Sequence, residues 1–273
     1  QEGLGSLHHV QVGLEGQVAH APAAADVLRP LHQVGRGLHF WGDDDPSNGT
    51  NKEDAYAAVV STINRVNEIF ETELGIHLEL VTGIDLIYPN VDTDPYDKNL
   101  NSEVQKVLDD NFGEENYDIG HLFAYASNGG NGDAGSVGSV CQNGTKGGAF
   151  SAHSFQGTTT DPFLNDHFDI DYVSHEMGHQ FGAFHTFSFR NEFEGFNSEP
   201  GSGSTIMGYA GIVGFDNVQR HSDHYFHYHS IHNINQYIDN KSCYLSVANE
   251  NQIPTVSADR DYTLPVGTAY ELE

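Results

Sequence analysis

The chain is 273 residues long, and its 39 acidic against 11 basic residues leave a formal charge of −28. Charge of that sign repels nucleic acid phosphates and anionic membrane surfaces, so neither is expected as a partner. With 18% charged and 37% hydrophobic residues the composition still describes a foldable globular chain rather than a disordered one.

Residues 1–38 are rich in Gly, Ala, His and Val and hold few acids, and they match no predicted element. A pro-segment or non-native sequence is expected there. No run of about 18 apolar residues occurs, so no membrane span is expected. No basic-then-apolar leader opens the chain, so a signal peptide is expected to have been removed or to lie outside it. After the turn-rich residues 42–49, Thr50 and Glu53 form a capping box that opens a helix. Ala55, Val59, Ile63, Val66 and Phe70 share its buried face at spacings of three and four, and Gly75 ends it. Residues 76–81 alternate like a half-buried strand, a second helix is expected near 100–112, and 117–125 read as a strand. Residues 134–141 are flanked by glycines and lack large side chains. They read either as a plain surface loop or as an exposed strand edge that an extended peptide could approach closely.

Two acidic groups, Asp43, Asp44, Asp45 and Asp92, Asp94, Asp97, could hold Ca2+ through carboxylate oxygens or simply solvate their loops. Cys141 and Cys243 are too few for a disulfide scaffold, and either one bridge or two buried thiols would satisfy them.

Residues 175–185 read HEMGHQFGAFH. On a helix His175 and His179 stand about 40° apart on one face, so their imidazoles can share one metal ion. Glu176 follows the first of them directly, which points its carboxylate beside the pair, where a general base for a metal-activated water would sit. The helix still runs six residues after His175, and Gly182 can then take positive φ, letting the chain leave the helix and swing His185 back to the metal. Three protein nitrogens leave one position open, as in catalytic rather than structural zinc. Seventeen histidines yield about one i, i+4 pair by composition alone, so the pair is weak by itself. Requiring Glu second, Gly eighth and His eleventh lowers the random expectation to roughly one chain in a couple of thousand.

Downstream, the loop from Phe187 to Glu199 has no readable shape. Ser204-Thr205-Ile206-Met207-Gly208-Tyr209 forms a small-residue turn around one of the two methionines. His221, His224, His227, His229 and His232 are spaced three, three, two and three, which does not place three on one helical face. They are not read as a second metal site, and residues 225–234 are read as the start of a C-terminal helix. From Asn249 the text becomes extended segments separated by proline and glycine.

His-Glu-x-x-His-x-x-Gly-x-x-His resembles the zinc signature of the metzincin metalloproteases. The stretches 134–141 and 199–210 resemble those of bacterial reprolysin-like secreted peptidases, and the similarity covers roughly residues 39–273. The resemblance implies an α/β (α+β) catalytic domain: a twisted mixed sheet with an exposed edge strand, the active-site helix, and a smaller C-terminal subdomain. It implies zinc on His175, His179 and His185, Glu176 as base, Met207 in a Met-turn beneath the ligands, and Tyr209 within reach of the oxyanion. It also makes 134–141 the edge strand that receives substrate, and it pairs Cys141 with Cys243. Residues 38–41 would be only the tail of the first sheet strand. One departure is Thr186, which follows the third histidine where adamalysin-type enzymes carry Asp and astacin-type enzymes Glu.

Residues 39–248 are thus expected to be the catalytic domain, with 249–273 a linker and the start of a truncated β-sandwich-like domain. The expected activity is that of a secreted, monomeric zinc endopeptidase acting on protein or peptide substrates. A catalytically silent zinc-containing binding module is the alternative, against which the intact Glu176 argues. Hydrolysis of a non-peptide amide or ester would use the same parts.

Overall fold

The computed structural model of the chain describes residues 6–10, 26–28, 51–80, 84–88, 94–125, 130–153, 166–192 and 196–248. Asp43, Asp44, Asp45, Asp92 and the extended segments past Asn249 lie outside them, as do residues 38–41.

Helix α1 spans Asn51–Leu74 and buries the expected stripe of Ala55, Val59, Ile63, Val66 and Phe70. Gly75 ends it, its N–H donating to the Glu71 carbonyl. In chain order α1 lies between two short strands, β1 (Ser6–Val10) and β2 (Asp26–Leu28), and the strand β3 (Ile76–Leu78). Helix α2 (Leu100–Phe112) and strands β4 (His121–Tyr125), β5 (Gly130–Asp133) and β6 (Ala149–His153) follow. The expected strands at 76–81 and 117–125 are each shorter than their alternation suggested, three and five residues.

The main sheet has the order β2-β4-β6-β5, parallel except for β5, which runs antiparallel to β6. Alternation along β4 sends Leu122 and Ala124 into a cluster with Val104 and Leu108 of α2, and Phe123 into a cluster with α1. The sheet is therefore covered by α2 on one face and by α1 with the helix of the HEMGH motif on the other. A second sheet has the order β3-β1-β7, with β7 at Leu245–Ala248.

The motif's helix, α3, spans His175–Gln180 and continues a π-helical segment, Phe168–Ser174. It closes at Gln180, so the chain has already left the helix when it reaches Gly182. Phe70 of α1 meets Phe181 and Phe226 edge-on at centroid distances of 5.4 and 5.5 Å. Thr62 and Arg65 of α1 bond Asp169 and Asp166 at 2.8 and 2.7 Å, tying the start of the π segment to the core. At the other end the Gln180 side chain bonds buried His121 on β4 at 3.0 Å, and His121 bonds Ser151 on β6 at 2.8 Å. Both ends of α3 and its π-helical lead-in are thus fixed to rigid elements.

The edge strand is β5 and not residues 134–141. In that later stretch Gly135, Gly138 and Cys141 take φ of 70°, 75° and 63°, which breaks any extended run. Its backbone serves the helix instead: Gly138 N–H donates to the His179 carbonyl at 2.8 Å, and Ser139 and Val140 N–H donate to the Gln180 carbonyl. These bonds satisfy carbonyls that a helix C-terminus otherwise leaves open. Cys141 is bridged to Cys243, just past helix α4 (Tyr228–Ile238), across a separation of 102 residues. Closing a loop of that size stabilises the fold by about 4 to 5 kcal/mol in the chain-entropy model. Among the described residues no helix is long and apolar enough to cross a membrane.

Candidate active site

His175, His179 and His185 converge. His185 Nε2 lies 3.1 Å from His175 Nε2 and 2.9 Å from His179 Nε2. The return of His185 depends on Gly182, whose φ of 101° is one that side chains rarely adopt. Each ring is oriented through its other nitrogen. His175 Nδ1 faces the Ile206 carbonyl at 2.6 Å, His179 Nδ1 faces the Ala183 carbonyl at 2.7 Å, and His185 Nδ1 pairs with Glu192. A carbonyl or carboxylate accepts the Nδ1–H, so each Nε2 presents its lone pair to the common point.

Three lone pairs facing one point repel, and a shared cation relieves that repulsion. Tetrahedral donors at zinc–nitrogen distances near 2.0–2.1 Å stand about 3.4 Å apart, and the observed separations need only a few tenths of an ångström of expansion. Burial, then the neighbouring imidazoles, pull the His175 and His179 pKa values down to about 3 and that of His185 to about 4. At neutral pH the three rings are therefore neutral, the form a metal needs. The donor set fits a zinc ion.

Glu176 is buried beside the triad, and burial followed by Asp133 pushes its pKa up to about 8, against the N–H of Ala134. A cation at the triad acts in the opposite sense. β5 passes so close that a Cβ on Gly132 would stand 2.4 Å from Glu176 Oε1, so the edge strand brushes the carboxylate only because Gly132 has no side chain. Glu176 and Tyr209 line both halves of a cleft: a cavity of about 720 Å³ toward Gly130, Tyr172 and Ile212, and one of about 400 Å³ toward Ala134, Phe184 and Glu192. The Tyr209 ring lies 4.5 Å from that of His185 between centroids, and burial, then Glu192 and Glu176, raise its pKa to about 12, which keeps the hydroxyl a donor.

Met207 is fully buried beneath the helix. A Cβ on Gly178 would come within 2.6 Å of its sulfur, so the small residue inside the motif allows the close packing. The turn around it is held by a residue that composition and spacing did not single out. Glu199 is buried and accepts the hydroxyls of Thr186 and Thr205 and the N–H groups of Ser204 and Thr205, the latter two at 2.9 and 3.1 Å. Burial alone would raise its pKa, but these four bonds outweigh it and hold the carboxylate ionised below the ordinary range. The hydroxyl at position 186, where the resemblance would place an acid, is bonded to the carboxylate at 199. Glu199→Ala is expected to cost about 3 kcal/mol by stranding several donors at once. In calorimetry the melting temperature should fall by about 6–12 °C, and an unchanged value would show that the network carries no stability.

Glu192, the partner of His185, was also not foreseen, since it lies in the loop whose shape is unreadable from sequence. Of the groups suggested for calcium, Asp94 accepts the Tyr96 N–H, and neither Asp94 nor Asp97 belongs to a metal-capable cluster among the described residues. Among the described residues nothing supports calcium. Among the C-terminal histidines, His227 caps α4, its side chain accepting from His229 N–H, so the expected helix opens at Tyr228, three residues later than Tyr225, and His221 and His224 lie in the loop before it.

Comparison with known proteins agrees with this geometry. The family described as Metallo-peptidase family M12B Reprolysin-like matches residues 47–237, which contain the triad, Glu176, Met207 and Tyr209. No curated protein matches the chain. With well over half of its length matched, the chain belongs to the reprolysin-like metallopeptidases of family M12B, zinc-dependent enzymes that hydrolyse peptide bonds.

Proposed function

We propose that the chain is an endopeptidase that cuts extended protein segments laid along β5, with His175, His179 and His185 holding zinc and Glu176 as the general base. The observation that carries this reading is the convergence of three neutral imidazole nitrogens beside a buried carboxylate at an open sheet edge. Bound there, zinc supplies a Lewis acid that polarises a carbonyl and makes water acidic near neutral pH.

The protein does the rest. The free edge of β5 offers main-chain N–H and C=O groups to an extended peptide, and the small residues at Gly130 and Gly132 let that peptide come close. Glu176 takes the proton of the attacking water and passes it to the departing amine nitrogen. Tyr209 donates its hydroxyl hydrogen to the developing oxyanion. Met207 plays the part of the Met-turn, and Gly182 delivers the third ligand. Residues 39–248 are taken as the catalytic unit, to whose sheets β1 and β2 add from before residue 39. The acidic surface and the Cys141–Cys243 bridge support an extracellular setting.

The test is cleavage of casein and of a peptide library, with and without a chelator. Cleavage abolished by the chelator and restored by zinc is expected. Cleavage indifferent to chelation would reject the proposal, and stoichiometric zinc with no cleavage of any substrate would favour a silent binding module.

A further inference from the structure

On the same face of the helix, about two turns before the triad, a second set of metal-binding side chains comes together. Ligand atoms of His167, Asp171 and His221 lie within 4.8 Å of one another. His167 and Asp171 are four apart at the entry to the π-helical segment. The wider turn of a π-helix brings such a pair nearer to eclipse than an α-helix does. Counting on by four from Asp171 gives His175 and then His179, so one helical face carries both groups.

His221 reaches this face from the loop between Met207 and α4. Its Nδ1 lies 2.9 Å from Asp171 Oδ2, while Ser222 N–H donates to Asp171 Oδ1 at 2.8 Å. The rings of His167 and His221 stack with centroids 3.4 Å apart and planes at 5°. The His221 side chain is 48% exposed, which leaves it room to splay from the stack until both rings aim a nitrogen at one point. All three residues line the same cavity as Glu176, which leaves further coordination positions open to water.

We propose that His167, Asp171 and His221 form a second site for a divalent transition cation, distinct from the triad and weaker than it. Two imidazoles and one carboxylate suit zinc, copper or nickel, whereas calcium takes six or more oxygen ligands. The cation clips the loop to the catalytic helix. That loop also bonds the turn before Met207, through Asp223 N–H to the Ser204 carbonyl at 2.7 Å and Ile206 N–H to the Tyr225 carbonyl at 3.1 Å. Occupancy therefore stiffens one wall of the cleft from both sides.

The experiment is zinc titration of the full chain against a chromophoric chelator, with metal counted by mass spectrometry and thermal melting followed in parallel. Wild type is expected to take two equivalents, His221→Ala one, His179→Ala one, and the double variant none. Melting of wild type should keep rising between the first and second equivalents, and that rise should vanish in His221→Ala, a surface change that leaves the fold intact. A single equivalent in wild type that His221→Ala retains, or two equivalents in His221→Ala, overturns the second site. Zinc lost in His221→Ala but retained in full by His179→Ala would instead sink the triad reading and leave this site standing.

Discussion

Replacing Glu176 by glutamine lowers turnover by about 10²- to 10⁴-fold, the usual worth of a positioned proton carrier, while zinc content stays that of the wild type. The amide keeps the shape of the carboxylate and an oxygen for the Ala134 N–H. It cannot accept the water proton or return one to the leaving amine. None of the triad's orienting bonds runs through Glu176: His175, His179 and His185 are held by the Ile206 carbonyl, the Ala183 carbonyl and Glu192. Stability should change little as well. With its pKa pushed up to about 8 by burial and Asp133, the residue is mostly uncharged at neutral pH without a cation, so a neutral isostere is no worse buried. The loss should fall on kcat rather than KM, since the interaction is made only as the proton moves. Steady-state kinetics on a fluorogenic peptide, beside zinc analysis of the same sample, decides it. Turnover within about threefold of wild type would remove Glu176 from the mechanism.

Those parts of the molecule whose residues interact at a fixed spacing could be read before any coordinates. The stripe of α1 recurs at the helical period, and its five positions are all buried. The triad follows from the same geometry plus one glycine able to take positive φ. What could not be read depends on loops that carry no period. Glu192 meets His185 across seven residues, Glu199 meets Thr186 across thirteen, and His221 meets Asp171 across fifty. The edge strand was misplaced for a physical reason. Small, glycine-rich text allows a backbone to run close to a partner, as β5 does past Glu176, and it equally allows the left-handed turns of 134–141 that cap α3. Composition does not separate the two uses. The π-helical segment was hidden likewise, because residues four apart share a face in either helix type, and only the register of its hydrogen bonds distinguishes them.

His179→Ala abolishes hydrolysis and releases the metal from the triad. His179 is buried, and its Nδ1–H is the donor for the Ala183 carbonyl that shapes the turn to His185. The substitution therefore removes one of three ligands and also the bond that positions another. Loss of an outer partner alone costs about 10- to 100-fold in metal affinity, so loss of the ligand itself must cost more. The same burial sets the response to acid. The folded pKa values near 3 and 4 lie below the ordinary histidine value, so the contribution of these rings to stability is complete above about pH 6.5 and is lost progressively as pH falls toward 4. Without metal, Glu176, Asp118 and Asp169, raised by burial to about 8, 7 and 6, act in the opposite sense, since each favours the folded state while protonated. With a cation held by His175, His179 and His185, Glu176 would favour its ionised form and that compensation would be lost. Metal-loaded protein should consequently lose stability more steeply between pH 6.5 and 4.5 than metal-free protein, by up to about 1.4 kcal/mol per pH unit for the one extra proton taken up on unfolding. Urea denaturation at half-unit pH intervals, with and without zinc, measures both slopes. Parallel slopes, or full peptidase activity in His179→Ala, would mean that the triad does not hold the catalytic ion.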